Sequence, residues 1–249
     1  MTDMPPVKLM NFFKSSPLFA FNSVNRDGWI RNQAKNIVSG SVVLDVGAGS
    51  CPYRELFSHC EYKTQDFVQL KPDQLRHRDY GKIDYVCDAS RIPVPDGTFD
   101  VVLCTEMLEH VPEPQKVIAE FARILKSGGK LILTAPLGSG IHQEPYHYYG
   151  GYTPYWYERF LPLHGFTKIS VQTNAGSFRF FSQEALRFLQ SSRPFRLGMP
   201  VISEILWMPV WLFLAPVLGL LVPITCVYLD RFDTEKRFTV GYHVTADKI

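Results

Sequence analysis

Short apolar runs alternate with longer amphipathic segments along most of this chain. Runs that are apolar, or that alternate with polar residues, predict seven strands, at 42–46, 61–67, 83–89, 99–106, 130–136, 166–174 and 238–248. Between them, apolar side chains at helical spacing predict helices, at 24–38, 52–57, 113–129 and 153–166. Helix start and stop signals agree with these ranges, since Gly40 follows the first helix, Gly128-Gly129 ends the third and Thr153-Pro154 begins the last.

Strands that alternate with helices predict a doubly wound α/β fold. We expect a Rossmann-like, seven-stranded, mostly parallel sheet with helices on both faces and an apolar helical insertion before the last strand. The boundaries predict an N-terminal arm and helix, a main domain, the insertion and the final strand, at 1–40, 41–177, 178–237 and 238–249.

The insertion contains a stretch, 205–229, that has no charged residue and is long enough to cross a bilayer. Strands on both sides of it belong to the same predicted sheet, so a single crossing is excluded. Prolines 209, 216 and 223 favour a broken or re-entrant element, because each removes a backbone donor. We therefore predict peripheral membrane contact through 197–229. A buried helical hairpin, a homodimer interface and a hairpin that crosses the membrane twice are the alternatives.

The flanks of this stretch support a membrane surface. Four arginines and only one acid, Glu184, lie within 178–199, and basic residues beside an apolar stretch suit an anionic surface. Trp207 and Trp211 are expected at headgroup depth.

Net charge and cysteine content limit the kinds of partner and cofactor expected for this chain. The 249 residues carry a formal net charge of +2, which argues against nucleic-acid binding. The five cysteines form no CxxC pair and no Cys/His group has zinc spacing, so no bound metal is expected. We expect the cysteines to be reduced thiols in the cytoplasm. The first residues lack the pattern of a signal peptide, which favours an arm or lid.

Ligands of such folds bind beyond the carboxyl ends of the strands. The sequence "GAGSCP" follows the first strand there, but Pro52 stands where a dinucleotide fingerprint has its third glycine. This argues against a pyrophosphate site and against a nicotinamide-dependent oxidoreductase.

Five motifs occur in one order: "LDVGAGS", Asp66, Asp88 before a Pro-rich loop, "FDVVLCTEMLEHV" and "LKSGGKLILTAP". Together they resemble the class I S-adenosylmethionine-dependent methyltransferases, in the type 11-like group that includes quinone, lipid and polysaccharide-biosynthesis enzymes. The resemblance covers roughly 29–171. In one departure, Cys51 stands where the family often has a third glycine.

The resemblance implies S-adenosylmethionine as cofactor and assigns it a set of residues. Glycines let the backbone approach the amino-acid end and Asp45 lies near its ammonium. Asp66 accepts the ribose hydroxyls, Asp88 and Ala89 bind adenine, and Thr105 and Glu106 close the methionine side. The full expected set is Asp45, Gly47, Ala48, Gly49, Cys51, Asp66, Asp88, Ala89, Thr105 and Glu106.

Two loops on the same edge are expected to face the methyl acceptor. They contribute His110, His142 and His147 as candidate bases, since histidine titrates near neutrality. Bracing of the following helix is the alternative for His110, and loop packing for the other two. The glycines of 138–150 suit a lid.

We expect a methyltransferase that acts on a small-molecule, lipidic or lipid-linked saccharide acceptor at the cytoplasmic membrane face. A non-catalytic, membrane-associated scaffold that binds S-adenosylmethionine is the main alternative.

Overall fold

The computed structural model describes residues 16–249. Of the predicted arm over 1–40, residues 1–15 lie outside the described residues. The strands are Val42–Val46 (β1), Glu61–Asp66 (β2), Tyr85–Val86 (β3), Phe99–Thr105 (β4), Leu125–Pro136 (β5), Phe166–Thr173 (β6) and Gly241–Lys248 (β7). The α-helices are Phe21–Lys35 (α1), Pro114–Ile124 (α2), Pro154–Leu163 (α3), Ser177–Ser191 (α4), Val201–Pro216 (α5) and Val222–Leu229 (α6).

The seven strands form one sheet in the order β3-β2-β1-β4-β5-β7-β6. The neighbours from β3 to β5 are parallel, and β7 is antiparallel to β5. The predicted fold class is therefore confirmed, including the mostly parallel sheet. The order reverses between β1 and β4, so their carboxyl ends mark the expected binding edge.

Helices cover both faces of this sheet. Alternate residues of β1 and β4 divide between two apolar clusters, as a period of two requires. Val43 and Val101 pack with Ile30 of α1 on one face. Leu44 and Val102 belong to the cluster on the other face. That second cluster includes the buried side of α2 and of α3.

Several predicted boundaries differ from the structure. The helix expected over 113–129 ends at Ile124, before its two glycines, because the backbone becomes extended at Leu125. Leu125 then pairs with Phe99, and a bulge separates this pair from the rest of the β4–β5 ladder. The strand expected over 83–89 has only two residues, because the Asp84 carboxylate accepts the backbone N–H of Thr64 at 3.1 Å.

The chain divides into two compact units. One contains residues 26–172 and 241–249, and thus most of the sheet. The other contains 173–240 and the described part of 1–25, and thus most of the apolar insertion.

Within the second unit, α5 and α6 join through a π-helical turn, Val217–Leu221, into one helical stretch, Val201–Phe232, which we call the apolar helix. The prediction that the three prolines break this segment is wrong, because the helix is continuous. A proline removes a backbone donor and clashes with a carbonyl one turn earlier. The π turn lies between Pro216 and Pro223 and shifts the hydrogen-bond register there without breaking the helix.

The apolar helix packs on α4 as an antiparallel hairpin. Trp207 and Trp211 donate their indole N–H groups to the carbonyls of Ser192 and Leu189, at 2.7 and 3.1 Å. At the other end, Asp230 accepts the backbone N–H of Arg179 at 3.0 Å, close to the start of α4. Carboxylates satisfy the free N–H groups of a helix start and interact favourably with its dipole.

Most of the apolar helix faces outward. Only 11% of its most apolar window is buried, so the buried-hairpin alternative is wrong. By length and composition the helix could cross a membrane. Arg179, one of the four arginines expected to face an anionic surface, is not on the surface. It is 8% exposed and its guanidinium lies over the ring of Phe21.

Candidate cofactor and acceptor site

Two cavities lie at the carboxyl ends of β1, β2 and β4, within the unit that holds the sheet. Their volumes are about 330 and 480 Å³, which is the range of small-molecule sites. They share five lining residues, Gly47, Asp66, Phe67, Met107 and His110. The shared lining makes them two parts of one cleft.

The glycine loop after β1 approaches the cleft with its bare backbone. Gly47 has a φ of +70°, and a Cβ added there would lie 2.4 Å from Cγ of Met107. Only glycine fits both restrictions. Ala48 and Gly49 continue the lining of the smaller cavity. The structure therefore places Gly47, Ala48 and Gly49 where the sequence predicts them.

Asp66 ends β2 and holds this loop in place. Its Oδ2 accepts the N–H of Gly49 and its Oδ1 accepts the N–H of Val68, both at 2.9 Å. Burial raises the pKa of the Asp66 carboxyl, although the N–H groups of Val68 and Gly49 act in the opposite direction. The Phe67 N–H and the Tyr80 side chain act on the same carboxylate, so a ligand hydroxyl would share its acceptor positions with these donors.

Asp88 and Ala89 line the larger cavity. The Asp88 carboxylate is held by Ser90, whose N–H and hydroxyl both donate to Oδ1 at 2.7 Å. These contacts leave Oδ2 of Asp88 for an adenine amino group. The two residues lie together as predicted.

Thr105 and Glu106 line the smaller cavity together with Arg26, which is not among the residues expected from the sequence. Arg26 of α1 places Nη1 3.3 Å from Oε2 of Glu106. Burial disfavours the Arg26 charge, but Glu106, Tyr53 and Asp27 outweigh it, and the pKa of Arg26 is raised. Nε of Arg26 is buried without a hydrogen-bond partner.

A positive and a negative group at one end of a cavity suit an amino-acid ligand, which carries both charges. Glu106 also accepts the Thr134 hydroxyl at 2.8 Å, which fixes its carboxylate. The arrangement fits the methionine part of S-adenosylmethionine. No sequence signal identified Arg26, because its place depends on how α1 packs on the sheet.

Asp45 does not lie where the resemblance implies. It is 1% exposed and lines neither of these two cavities. Its Oδ2 accepts the hydroxyl of Tyr62, and its Oδ1 is buried without a partner. Burial raises the pKa of Asp45 to about 7. The carboxylate faces the neighbouring strand β2 because Asp45 is the fourth of the five residues of β1 and does not lie beyond its end.

Cys51 also lies outside the lining of both cavities. It has a φ of +51°, the conformation that a glycine adopts without cost. The loop therefore keeps a turn of the glycine type although the glycine is absent. The Cys51 side chain lies against Gly81, away from the cleft.

The three predicted histidines meet at one wall of the cleft. His110 lines both cavities. Its ring centroid lies 4.7 Å from that of His142 and 5.5 Å from that of His147. Burial lowers the pKa of His110 to about 4. The structure thus combines all three candidates, which come from two different loops.

The loop after β5 that carries His142 and His147 is tied across the cleft. The Gln143 side chain donates to the carbonyl of Gln74 at 3.1 Å, and Gln74 donates to the carbonyl of Glu144 at 3.0 Å. The Tyr146 hydroxyl donates to Gln69 at 2.8 Å. The N–H groups of Tyr148 and Tyr149 also donate to the carbonyl of Glu109, at 3.0 and 3.2 Å, so the loop is held as a cover over the cleft.

Comparison with known proteins supports the same interpretation. Residues 44–133 match the methyltransferase domain family. Over 125 residues the chain is 36% identical to a ubiquinone biosynthesis O-methyltransferase from Idiomarina loihiensis. The aligned region covers 47% of this chain and 51% of that protein. A protein of the same name from Bordetella bronchiseptica is 37% identical over 124 residues, covering 45% of this chain and 49% of that one. The chain thus spans about half the length of the curated relatives it matches.

Two solved structures share the fold over most of this chain. A S-adenosylmethionine-dependent methyltransferase from Archaeoglobus fulgidus gives a TM-score of 0.55 at 14% identity and covers 98% of this chain and 100% of its own. The cyclase SpnF gives 0.54 at 18% identity, with 90% and 80% covered. Identities this low show the fold alone, which serves more than one chemistry.

Proposed function

We propose that this chain, whose residues 44–133 form a class I S-adenosylmethionine-dependent methyltransferase domain, transfers a methyl group to a hydroxyl oxygen of a lipidic acceptor at the cytoplasmic face of a membrane. The relatives are named as ubiquinone biosynthesis O-methyltransferases, which supports an oxygen acceptor on a quinone-type lipid. The free thiols of all five cysteines suit a reducing compartment.

One observation carries the catalytic part of this proposal. The cleft has an amino-acid end at Arg26 and Glu106, a hydroxyl-accepting group at Asp66 and an adenine-sized end at Asp88 and Ala89. These three groups follow each other along the cleft in the same order as the methionine, ribose and adenine parts of S-adenosylmethionine. His110 lies where the two cavities meet.

S-adenosylmethionine, when bound, supplies an electrophilic methyl group. The chain's residues then have to hold the two reactants in line and exclude water. Gly47 and Asp66 hold the cofactor side. Tyr146 and Tyr148 line the larger cavity and belong to the loop that covers it, which supports a role for them in ordering the acceptor beside the histidines.

The membrane part of the proposal rests on the apolar helix. Its exposed apolar side chains include Ile202, Leu206 and Phe213, which are 74, 69 and 71% exposed. Large exposed apolar side chains concentrated on one helix support an interaction site. Arg193 and Arg196 lie exposed just before the helix, and basic residues there favour an anionic lipid surface. We therefore assign the surface to lipid.

The helix is proposed to lie on the membrane and not to cross it once. β6 precedes the insertion, β7 follows it, and the two are neighbours in the same sheet. A single crossing would separate these neighbours to opposite sides of the bilayer. Contact within one leaflet keeps both strands on one side, where an acceptor with a long apolar tail is accessible.

Calorimetry with S-adenosylmethionine, followed by transfer of a labelled methyl group to membrane lipid extracts, tests the catalytic part. We expect binding and labelling of a lipid-extractable product. Binding without transfer to any lipid or quinone fraction would contradict a methyltransferase role and favour the scaffold alternative.

Flotation with vesicles of phosphatidylcholine and phosphatidylglycerol tests the membrane part. The full chain should float, and Leu206→Asp with Phe213→Asp should remain in the soluble fraction. The matched control places aspartate at Val38 and Tyr155, which are both 76% exposed and lie outside the insertion. Equal flotation of both double variants would overturn lipid docking. A stable dimer that does not float would assign the surface to a second copy.

A further inference from the structure

Three histidines from two loops form a compact cluster. One ring nitrogen from each of His110, His142 and His147 lies within 4.8 Å of the others. His110 ends a short 3₁₀ turn after β4, and the other two belong to the loop after β5. Spacing along the chain did not predict this group, since the three residues are brought together only by the fold.

Hydrogen bonds on the far side of two rings fix which nitrogens are free. His110 Nδ1 lies 2.6 Å from the carbonyl of Tyr146, and His142 Nδ1 lies 2.9 Å from the carbonyl of Gly140. A carbonyl oxygen only accepts, so both Nδ1 atoms carry the proton and both Nε2 atoms keep a lone pair. Metal-binding histidines have this arrangement, in which the second nitrogen donates to a carbonyl.

Two ring nitrogens of the cluster make no hydrogen bond within the described residues. His110 Nε2 and His147 Nδ1 are buried without one, and Oε1 of Glu109 lies 3.7 Å from His110 Nε2. A buried polar atom without a partner costs free energy. Two such atoms among the three histidines of one cluster indicate that something else completes it.

The geometry points to a binding site for a divalent transition-metal ion, of the zinc class, on His110, His142 and His147. Imidazole suits zinc, copper, iron and nickel, whereas magnesium and calcium prefer oxygen. Three protein ligands leave one position of a tetrahedral ion open. Because His110 lines both cavities, that position is at the cleft. This site departs from the sequence expectation of no metal.

Binding requires the cluster to contract. A tetrahedral site with zinc–nitrogen bonds of about 2.0–2.1 Å separates its nitrogens by about 3.4 Å. The present separation, up to 4.8 Å, can close by movement of the loop, which has glycines at 138, 140 and 150. The ion would tie this loop to the turn at His110 and so fix the cover of the cleft.

Metal titration of the full chain tests the site independently of methyl transfer. Protein without a polyhistidine tag is stripped with chelator and titrated with zinc chloride in a calorimeter. We expect one zinc per chain, and a Kd at least 30-fold higher in His142→Ala and in His147→Ala. His59→Ala, at an exposed histidine of the same unit, is the matched control and should bind as the wild type does.

Two further measurements separate the possible outcomes. Cobalt should give visible absorption of a tetrahedral site in the wild type but not in His142→Ala, and zinc should slow amide exchange over 138–150 only where all three histidines are present. Thermal melts of the metal-free variants check their folding. No saturable zinc binding, or equal binding after loss of His142 and His147, would overturn the site. Failure to bind S-adenosylmethionine would count against the proposed function alone.

Discussion

The Sγ atom of Cys51 occupies the space that a side chain at Gly81 would need. A Cβ added to Gly81 would lie 2.4 Å from this sulfur. The Gly81 N–H also donates to the carbonyl of Gly49 at 2.9 Å, so the segment at 81 supports the glycine loop of the cleft. The cysteine that replaces a family glycine is thus accommodated by a glycine on the neighbouring segment.

Gly81→Ala should therefore destabilise the protein by about 1–3 kcal/mol, the usual cost of overpacking. In a Cys51→Gly background the same change should cost under about 1 kcal/mol, since the nearest remaining atom is the Ser50 carbonyl carbon at 3.2 Å. Urea unfolding of the four combinations gives the coupling energy. Gly28→Ala, in open space on α1, is the control and should be neutral or stabilising. Equal costs in both backgrounds would contradict the contact.

Arg26→Ala should weaken S-adenosylmethionine binding by roughly 10–100-fold, the loss of one charge-assisted hydrogen bond. Because Arg26 lies at the amino-acid end, the affinity for 5′-methylthioadenosine, which lacks that end, should change less than about twofold. Calorimetry with both ligands measures the difference. Arg31→Ala, at an exposed position of the same helix, should bind both ligands as the wild type does. An equal loss of affinity for both ligands would show that Arg26 does not contact the amino-acid end of the cofactor.

Asp66→Ala should reduce cofactor affinity by about 1.5–3 kcal/mol, because a charge-assisted acceptor is lost. The same carboxylate holds the N–H groups of Gly49 and Val68, so part of the loss reflects a looser loop. Asp66→Asn keeps one acceptor oxygen and should lose less. Calorimetry measures affinity, and thermal melts without ligand measure the loop effect.

Asp73→Asn provides the matched control for this series. Asp73 is exposed and lines neither of the two cavities. Its affinity should equal that of the wild type. If Asp66→Ala binds as tightly as this control, the ribose lies elsewhere.

The fold could be predicted because its signals are local. A continuous apolar run identifies β4 and an alternating pattern identifies β6 almost to the residue. The acids at the ends of strands are brought to one edge by any parallel sheet. Gly47 and Asp66 therefore lie in the cleft as expected. The exact end of α2 could not be predicted, since a tertiary pairing between Leu125 and Phe99 extends the strand into the glycine turn.

The remaining features depend on packing between distant segments. Arg26 has no motif around it and reaches the cleft because Ile30 of the same helix packs on the sheet. The three histidines were selected one by one, but their convergence depends on the path of a loop tied down by Gln74. In the apolar helix, the prolines predicted a break, whereas a π turn shifts the hydrogen-bond register and the helix continues.

Asp45 should make the ligand-free protein less stable as the pH rises. Burial raises its pKa to about 7, so the folded state keeps a proton that the unfolded state releases near pH 3.9. The folded state binds more protons between these values, and the free energy of unfolding therefore falls from about pH 4 to pH 7, by at most about 4 kcal/mol. Asp45→Asn should flatten this contribution in urea unfolding across the range. Tyr62→Phe removes a bond that favours the charged form and should extend the fall to higher pH. An unchanged slope in Asp45→Asn would mean that the carboxyl is ionised in the folded protein.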